Sequence, residues 1–168
     1  IDDLIAFRLN KEKFIKFKKS SKININKQIY TIKVFENILD GSENFALVKG
    51  SLLKKNPRVR VISSNIVKNY LMGEKFPNSF DKTISYFKKY NNCALIFVRD
   101  VNLKSVSETL KAYEDKRFYQ KGTDKLIKNY GIGAQIIKSL SIKKMILVTR
   151  SKKKVIGLDG YGIKIVKQ

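Results

Sequence analysis

"NYGIGAQIIKSLSIKKMILVTRSKKKVIGLDGYGIKIV" (129–166) decides the fold. Ile132, Ile136, Ile137 and Leu140 recur at helical spacing and make one apolar stripe. That helix starts upstream, at the capping signal of "TDKL", and covers 123–140. "KMILVT" (144–149) is a short continuous apolar run, the signature of a strand buried on both faces. A short helix is expected over 151–159 and a last strand over "IKIV" (163–166). Helices alternating with buried strands imply right-handed crossovers and a parallel sheet.

Upstream, the same grammar continues. "NSFDKTISYFKKY" (78–90) reads as a capped helix, "CALIFV" (93–98) as a buried strand, and "SVSETLKAYEDKRFY" (105–119) as a helix. Before residue 63 the period changes. "QIYTIKVFEN" (28–37) and "FALVKG" (45–50) have strand composition around the turn "DGSEN". "RVRVI" (58–62) sets Val59 and Val61 on one face, Arg58 and Arg60 on the other. Residues 3–19 read as a short helix or linker arm. The expected fold class is α/β (α+β): a β-rich N-terminal layer plus a mostly parallel sheet with helices. The expected organisation is an arm over 1–20 and one domain over 21–168.

The chain has 168 residues, enough to bury a core without disulfides. Its single cysteine cannot make an internal bridge, which suits a reducing, cytoplasmic setting. No apolar stretch is long enough to span a bilayer, so no membrane partner is expected. "IDDLIAFRLNKEKF" lacks both a signal-peptide core and a starting methionine, as a piece of a longer or processed chain would. The net charge of +22 favours polyanions, but it is lysine spread over the whole chain, with arginine only at 8, 58, 60, 99, 117 and 150. Arginine is the usual reader of bases, and no finger or RNP-type motif is present. Specific nucleic-acid binding is therefore not expected, although a basic RNA-binding module is kept as an alternative.

A strand ending at Thr149, followed by a basic turn into a helix, places backbone N–H groups and Lys154 near an anion. Lysines in a turn are also commonly just solvated. Read with its neighbours, the segment 129–166 resembles the C-terminal part of GTP cyclohydrolase II, an enzyme of riboflavin synthesis. The family runs Tyr-Gly-Ile-Gly-Ala-Gln, a helix, a strand ending in Leu-Thr-Asn-Asn-Pro-Lys-Lys, then Gly-Leu-Glu-Gly-Tyr-Gly. "FALVKG" and "VRV" (59–61) resemble its early strands. "IDDLIAFR" (1–8) resembles the junction in fused proteins whose first half is 3,4-dihydroxy-2-butanone 4-phosphate synthase.

The resemblance implies a zinc-dependent hydrolysis of GTP, and the departures fall on its machinery. The family holds zinc with three cysteines, the first in Arg-Val-His-Ser-Glu-Cys. Here that motif reads Arg60, Val61, Ile62, Ser63, Ser64, Asn65, and "EKFPNSF" (74–80) replaces Cys-X-Cys. The base-reading Arg-Gln-Glu-Gly-Arg corresponds to Arg99, Asp100, Val101, Asn102, Leu103, without its glutamate. The general-base aspartate falls on Leu126 and the arginine nucleophile on Lys128; Asp124 reads as a cap. The family tyrosine corresponds to Tyr113. Tyr113 and Lys128 are thus catalytic remnants, while Arg60, Thr149 and Lys154 match nucleotide-contacting positions. Cys93 reads as a core residue.

The resulting expectations are no zinc and no other cofactor, and no intact catalytic set. A weakly held phosphate or nucleotide anion, an upstream synthase domain in the same chain and a homodimer are the expected partners. The alternative from the enzyme class is a nucleotide hydrolase that still works through a divergent site.

Overall fold

The structure is a computed structural model that describes residues 11–64, 79–100, 104–115, 123–149 and 158–168. Side chains of Ser79, Ser105, Ala112, Tyr113 and 123–130 fall outside that description. The described residues form a seven-stranded mixed sheet in the order β1-β2-β3-β5-β4-β6-β7. The strands are β1 (Ile15–Ile25), β2 (Gln28–Asn37), β3 (Glu43–Gly50), β4 (Arg58–Ser64), β5 (Asn92–Arg99), β6 (Lys144–Leu147) and β7 (Lys164–Lys167). The helices are α1 (Ser79–Phe87), α2 (Ser105–Glu114) and α3 (Thr123–Ser139). The expected short helix at 151–159 lies mostly outside the described residues, which resume in a 3-10 turn over Asp159–Tyr161.

The α/β class agrees with the sequence reading. The β-rich part, however, is not a separate layer. Pairs β1·β2, β2·β3 and β3·β5 are antiparallel, while β4·β5, β4·β6 and β6·β7 are parallel, all within one sheet. β5 is the seam, with an antiparallel neighbour on one side and a parallel one on the other.

The period-2 pleat gives β5 two faces. Ala94, Ile96 and Val98 join a core with Val59, Met145 and the α3 residues Ile132, Ile136, Ile137 and Leu140. Cys93 and Leu95 join a second core with Tyr30, Leu47 and the α1 residues Ile84 and Phe87. The sheet is thus covered by α3 on one face and α1 on the other. A buried Leu or Ile contributes about 1.5–3 kcal/mol, so a strand as apolar as β5 anchors both cores. Gly133 lets α3 lie close to β4, since a Cβ there would meet Val61 Cγ1 at 3.2 Å.

The sequence reading of 3–19 as helix or arm is corrected from Ile15 onward. β1 pairs with β2 at ten positions, and a bulge falls between Phe17 and Lys19. β1 is an edge strand, and lysines and a bulge are usual protections of an edge. Lys18 also forms an exposed ion pair with Glu36 at 2.8 Å.

Helix α3 ends in a Schellman arrangement. Ser141 N–H donates to Lys138 O, Ile142 N–H donates to Ile137 O, and Ser141 has φ +60°. The buried pair Ile137 and Ile142 supplies the accompanying apolar contact.

Candidate functional site

Arg60 and Thr149 meet in one cleft. Its volume is about 490 Å³, within the usual range for a small-molecule site. The pleat of β4 explains the placement. Val59 points to the α3 core, so Arg58 and Arg60 point to the α1 face. There α1 covers β3, β5 and part of β4 but leaves the β6–β7 side open. The cleft lies in that gap, floored by Ile146 and Val148 and walled by α1.

Arg60 Nη1 donates to the Val148 carbonyl at 2.9 Å, one residue before Thr149. The guanidinium is therefore held against the end of β6. Arg58 is held differently. Its Cζ sits 3.4 Å from the Tyr90 ring centroid, and its Nε donates to the Tyr86 hydroxyl at 3.4 Å. A stacked guanidinium gains cation–π attraction and keeps its planar face ordered. The hydrogen bond with Tyr86, and then the Arg58 charge, draw the Tyr90 phenol below its ordinary value.

Lys82 on α1 and Lys167 on β7 also line the cleft. Among the described residues its lining holds four cationic side chains and no acidic side chain. Such a wall concentrates positive potential, which suits an anion with a flat or apolar portion over Ile146. Of the expected site residues, then, Arg60 and Thr149 are together. Tyr113 lies on α2 and Lys128 on α3, with side chains outside the description, and Lys154 lies outside the described residues. Sequence reasoning missed Arg58, Lys82, Tyr86, Tyr90 and Lys167. The i, i+4 spacing of Lys82, Tyr86 and Tyr90 was legible; its position across from β4 was not.

The ends of β4 and β5 lie side by side, Ser64 opposite Arg99. Asn44, buried on β3, accepts the Arg99 backbone N–H at 2.8 Å and fixes that end. Asn65, most of "EKFPNSF" (74–80) and residues 101–103 of the stretch matching the base-reading loop lie outside the described residues.

The donor set does not fit zinc. The chain has no histidine and one cysteine. Cys93 is fully buried in β5, and burial pushes its thiol up to about 11. Zinc takes thiolate, imidazole and carboxylate ligands, and a protonated, buried thiol is none of these. Among the described residues, no cluster of three or more His, Cys, Asp or Glu is placed to hold a metal. Nor is any described helix long and apolar enough to cross a membrane.

Comparison with known proteins adds the family. A family profile described as GTP cyclohydrolase II matches residues 16–168. The riboflavin biosynthesis protein RibBA of Chlorobium phaeovibrioides is 27% identical over 184 residues, which cover all of this chain and 44% of that protein. The probable monofunctional riboflavin biosynthesis protein RIBA 3 of Oryza sativa subsp. japonica is 26% identical over 182 residues, covering 99% of this chain and 33% of the relative. This chain thus spans under half the length of these relatives. In fold it is similar to RibBX, a two-domain 3,4-dihydroxy-2-butanone 4-phosphate synthase from A. baumannii, with a TM-score of 0.66, 20% identity, and coverage of 99% of this chain and 44% of that one. The match runs from β1 to the last residue, and the chain belongs to the GTP cyclohydrolase II family.

Proposed function

We propose that this is a GTP cyclohydrolase II-like domain of a riboflavin-biosynthesis protein that has lost cyclohydrolase activity. The observation that carries the reading is the donor set: no histidine, and one thiol locked in the core. Water bound to zinc has a pKa near 7, against about 16 for bulk water, and no other group here supplies that activation. Leu126 cannot carry a proton where the family has its base. Lys128 keeps a charge but lacks the guanidinium fork.

The domain then serves as a structural or regulatory partner of a 3,4-dihydroxy-2-butanone 4-phosphate synthase half. Two observations support this. The relatives are more than twice as long as this chain, and the fold neighbour is named as a two-domain synthase. A homodimer is the default by family, opposed at low salt by the like charge of +22 on each copy. What remains of the site is a weak, base-indifferent anion cleft around Arg60 and Thr149, with Lys154 as a further contributor.

The alternative nucleotide-hydrolase reading draws on the same cleft, whose cations favour phosphates. Metal analysis of a chelator-free preparation separates the two. Clearly substoichiometric zinc is expected; tightly held stoichiometric zinc would overturn the inactive reading.

A further inference from the structure

The chain enters the domain beside a turn that exposes two large aliphatic side chains. Gln135, buried on α3, accepts the Phe14 N–H at 2.8 Å through Oε1 and donates to the Glu12 carbonyl at 2.9 Å through Nε2. Phe14 and Ile15 are buried as well, so the entry point is fixed. The Phe14 carbonyl accepts the Ile38 N–H at 2.9 Å, which ties the β2–β3 turn to that point. In this turn Ile38 is 57% exposed and Leu39 70%.

The turn is built by other residues. Asn37 Oδ1 accepts the Leu39 N–H at 3.1 Å, Asp40 Oδ1 accepts the Ser42 N–H at 2.9 Å, and Gly41 has φ +69°. Asn, Asp, Ser and Gly are the residues turns ordinarily use. The Asn37 N–H donates to the Ser42 carbonyl and the Gly41 N–H to the Asn37 carbonyl, both at 2.8 Å. Ile38 and Leu39 are thus displayed on a hydrogen-bonded frame whose geometry does not call for them. Phe17 joins them. It is 52% exposed, pairs across the ladder with Phe35, and sets its ring edge-on to that ring. Phe35 precedes Ile38 by three residues, about 10 Å of strand, so the three side chains share one edge of the domain. Single exposed apolar residues are ordinary, but a group of them on one edge marks a contact surface.

The local charge suits association. The chain carries +22 overall, yet Lys16 and Lys18 on β1 are matched here by Glu36, Asp40 and Glu43. The lysine excess that opposes close contact elsewhere is offset at this edge.

We infer that Phe17, Ile38 and Leu39 form the docking surface for the half of the protein that precedes this domain. The identity of that half as a synthase rests on the reading proposed above. Two arguments select this occupant. The relatives are more than twice as long as this chain, and the patch lies where the chain enters the domain. The junction-like stretch 1–8 keeps the preceding half within a reach of roughly 35 Å of Lys11, about ten residues at full extension. A partner on so short a tether has an effective concentration on the order of millimolar. A second copy has no such advantage and brings a further charge of +22. Docking at this edge fixes the orientation of the two halves.

The test uses the full-length protein with the photo-cross-linker p-benzoylphenylalanine in place of Leu39. Leu53 is the control position: it is 77% exposed and follows β3 at the end opposite the β2–β3 turn. Mass spectrometry of irradiated protein, mixed from 15N-labelled and unlabelled copies, locates each cross-link. Cross-links from position 39 to residues preceding Ile1, several times more abundant than from position 53, are expected. Ile38→Ser combined with Leu39→Ser should speed protease cleavage between the halves about tenfold, while Leu53→Ser leaves the rate unchanged and thermal melts show both variants folded. Cross-links from 39 to residues 11–168 of a second copy, no excess over position 53, or an unchanged cleavage rate in the folded double variant would overturn the docking surface. Synthase activity is assayed on the same protein. Activity without the cross-links leaves the synthase reading standing and overturns the docking; cross-links without activity sustain the docking and overturn the identity of the partner.

Discussion

Replacing Gly50 by alanine should unfold the seam between the two halves of the sheet. Gly50 closes β3 opposite Asn92 of β5 with φ +68°, and a Cβ there would stand 1.7 Å from the Asn91 carbonyl oxygen. Two costs add. The left-handed conformation costs an alanine about 1–2 kcal/mol. The overlap is with backbone, so it is relieved only by parting the ends of β3 and β5, which forfeits about two ladder hydrogen bonds at roughly 1 kcal/mol each. The sum is about 3–4 kcal/mol, near the top of the range for single substitutions. For a domain of this size that lowers Tm by about 6–16 °C. Gly41→Ala is the control: its φ is +69°, but nothing lies within 4 Å of the added Cβ. It should lose only the conformational part. Urea denaturation of both variants measures the difference. Equal losses, or less than about 1 kcal/mol for Gly50→Ala, would refute the clash argument.

Four further outcomes are expected. Ser141→Gly should raise stability by about 0.5–1 kcal/mol, because the C′ position after α3 is left-handed and has no reason to carry a side chain. Lys27→Gly should act in the same direction in the β1–β2 turn, where Asn26 and Lys27 have φ of 50° and 63° and the change creates the favoured Asn-Gly pair; thermal melts check both. The Cys93 thiol should resist a disulfide reagent at pH 8 in the folded protein and react on unfolding. Its folded value lies above its unfolded one, so its contribution to stability is full below about 8.5 and is lost as pH rises toward about 11. Cys93→Ala should flatten that part of the stability profile. Finally, GTP, ATP and pyrophosphate should bind with similar weak affinity, reduced severalfold by Arg60→Ala or Lys154→Ala in calorimetry, and tight binding selective for GTP would show a working base-reading loop.

The helices and buried strands were legible because their burial is periodic. β5 and β6 read as apolar runs, and α1 and α3 as stripes, with ends within a few residues of those observed. β1 was not legible. In "IKFKKSSKINI" only Ile15 is buried, so no alternation marks it; pairing with β2 makes it a strand. The sheet order was hidden for a related reason. β4 crosses to lie between β5 and β6, and the antiparallel and parallel parts share one sheet, which no local pattern encodes. At the site, Arg60 and Thr149 came from motif spacing. Arg58, Tyr86, Tyr90 and Lys167 reach the cleft only through tertiary placement, and their types carry no motif of their own.

The proposed loss of cyclohydrolase activity means that this chain does not open the ring of GTP. The direct measurement is formate release from GTP by the purified full-length protein, supplied with zinc and separately with magnesium, beside an active family member as positive control. No formate above the protein-free background is expected under either metal. Zinc-dependent formate release proportional to protein concentration would contradict the account.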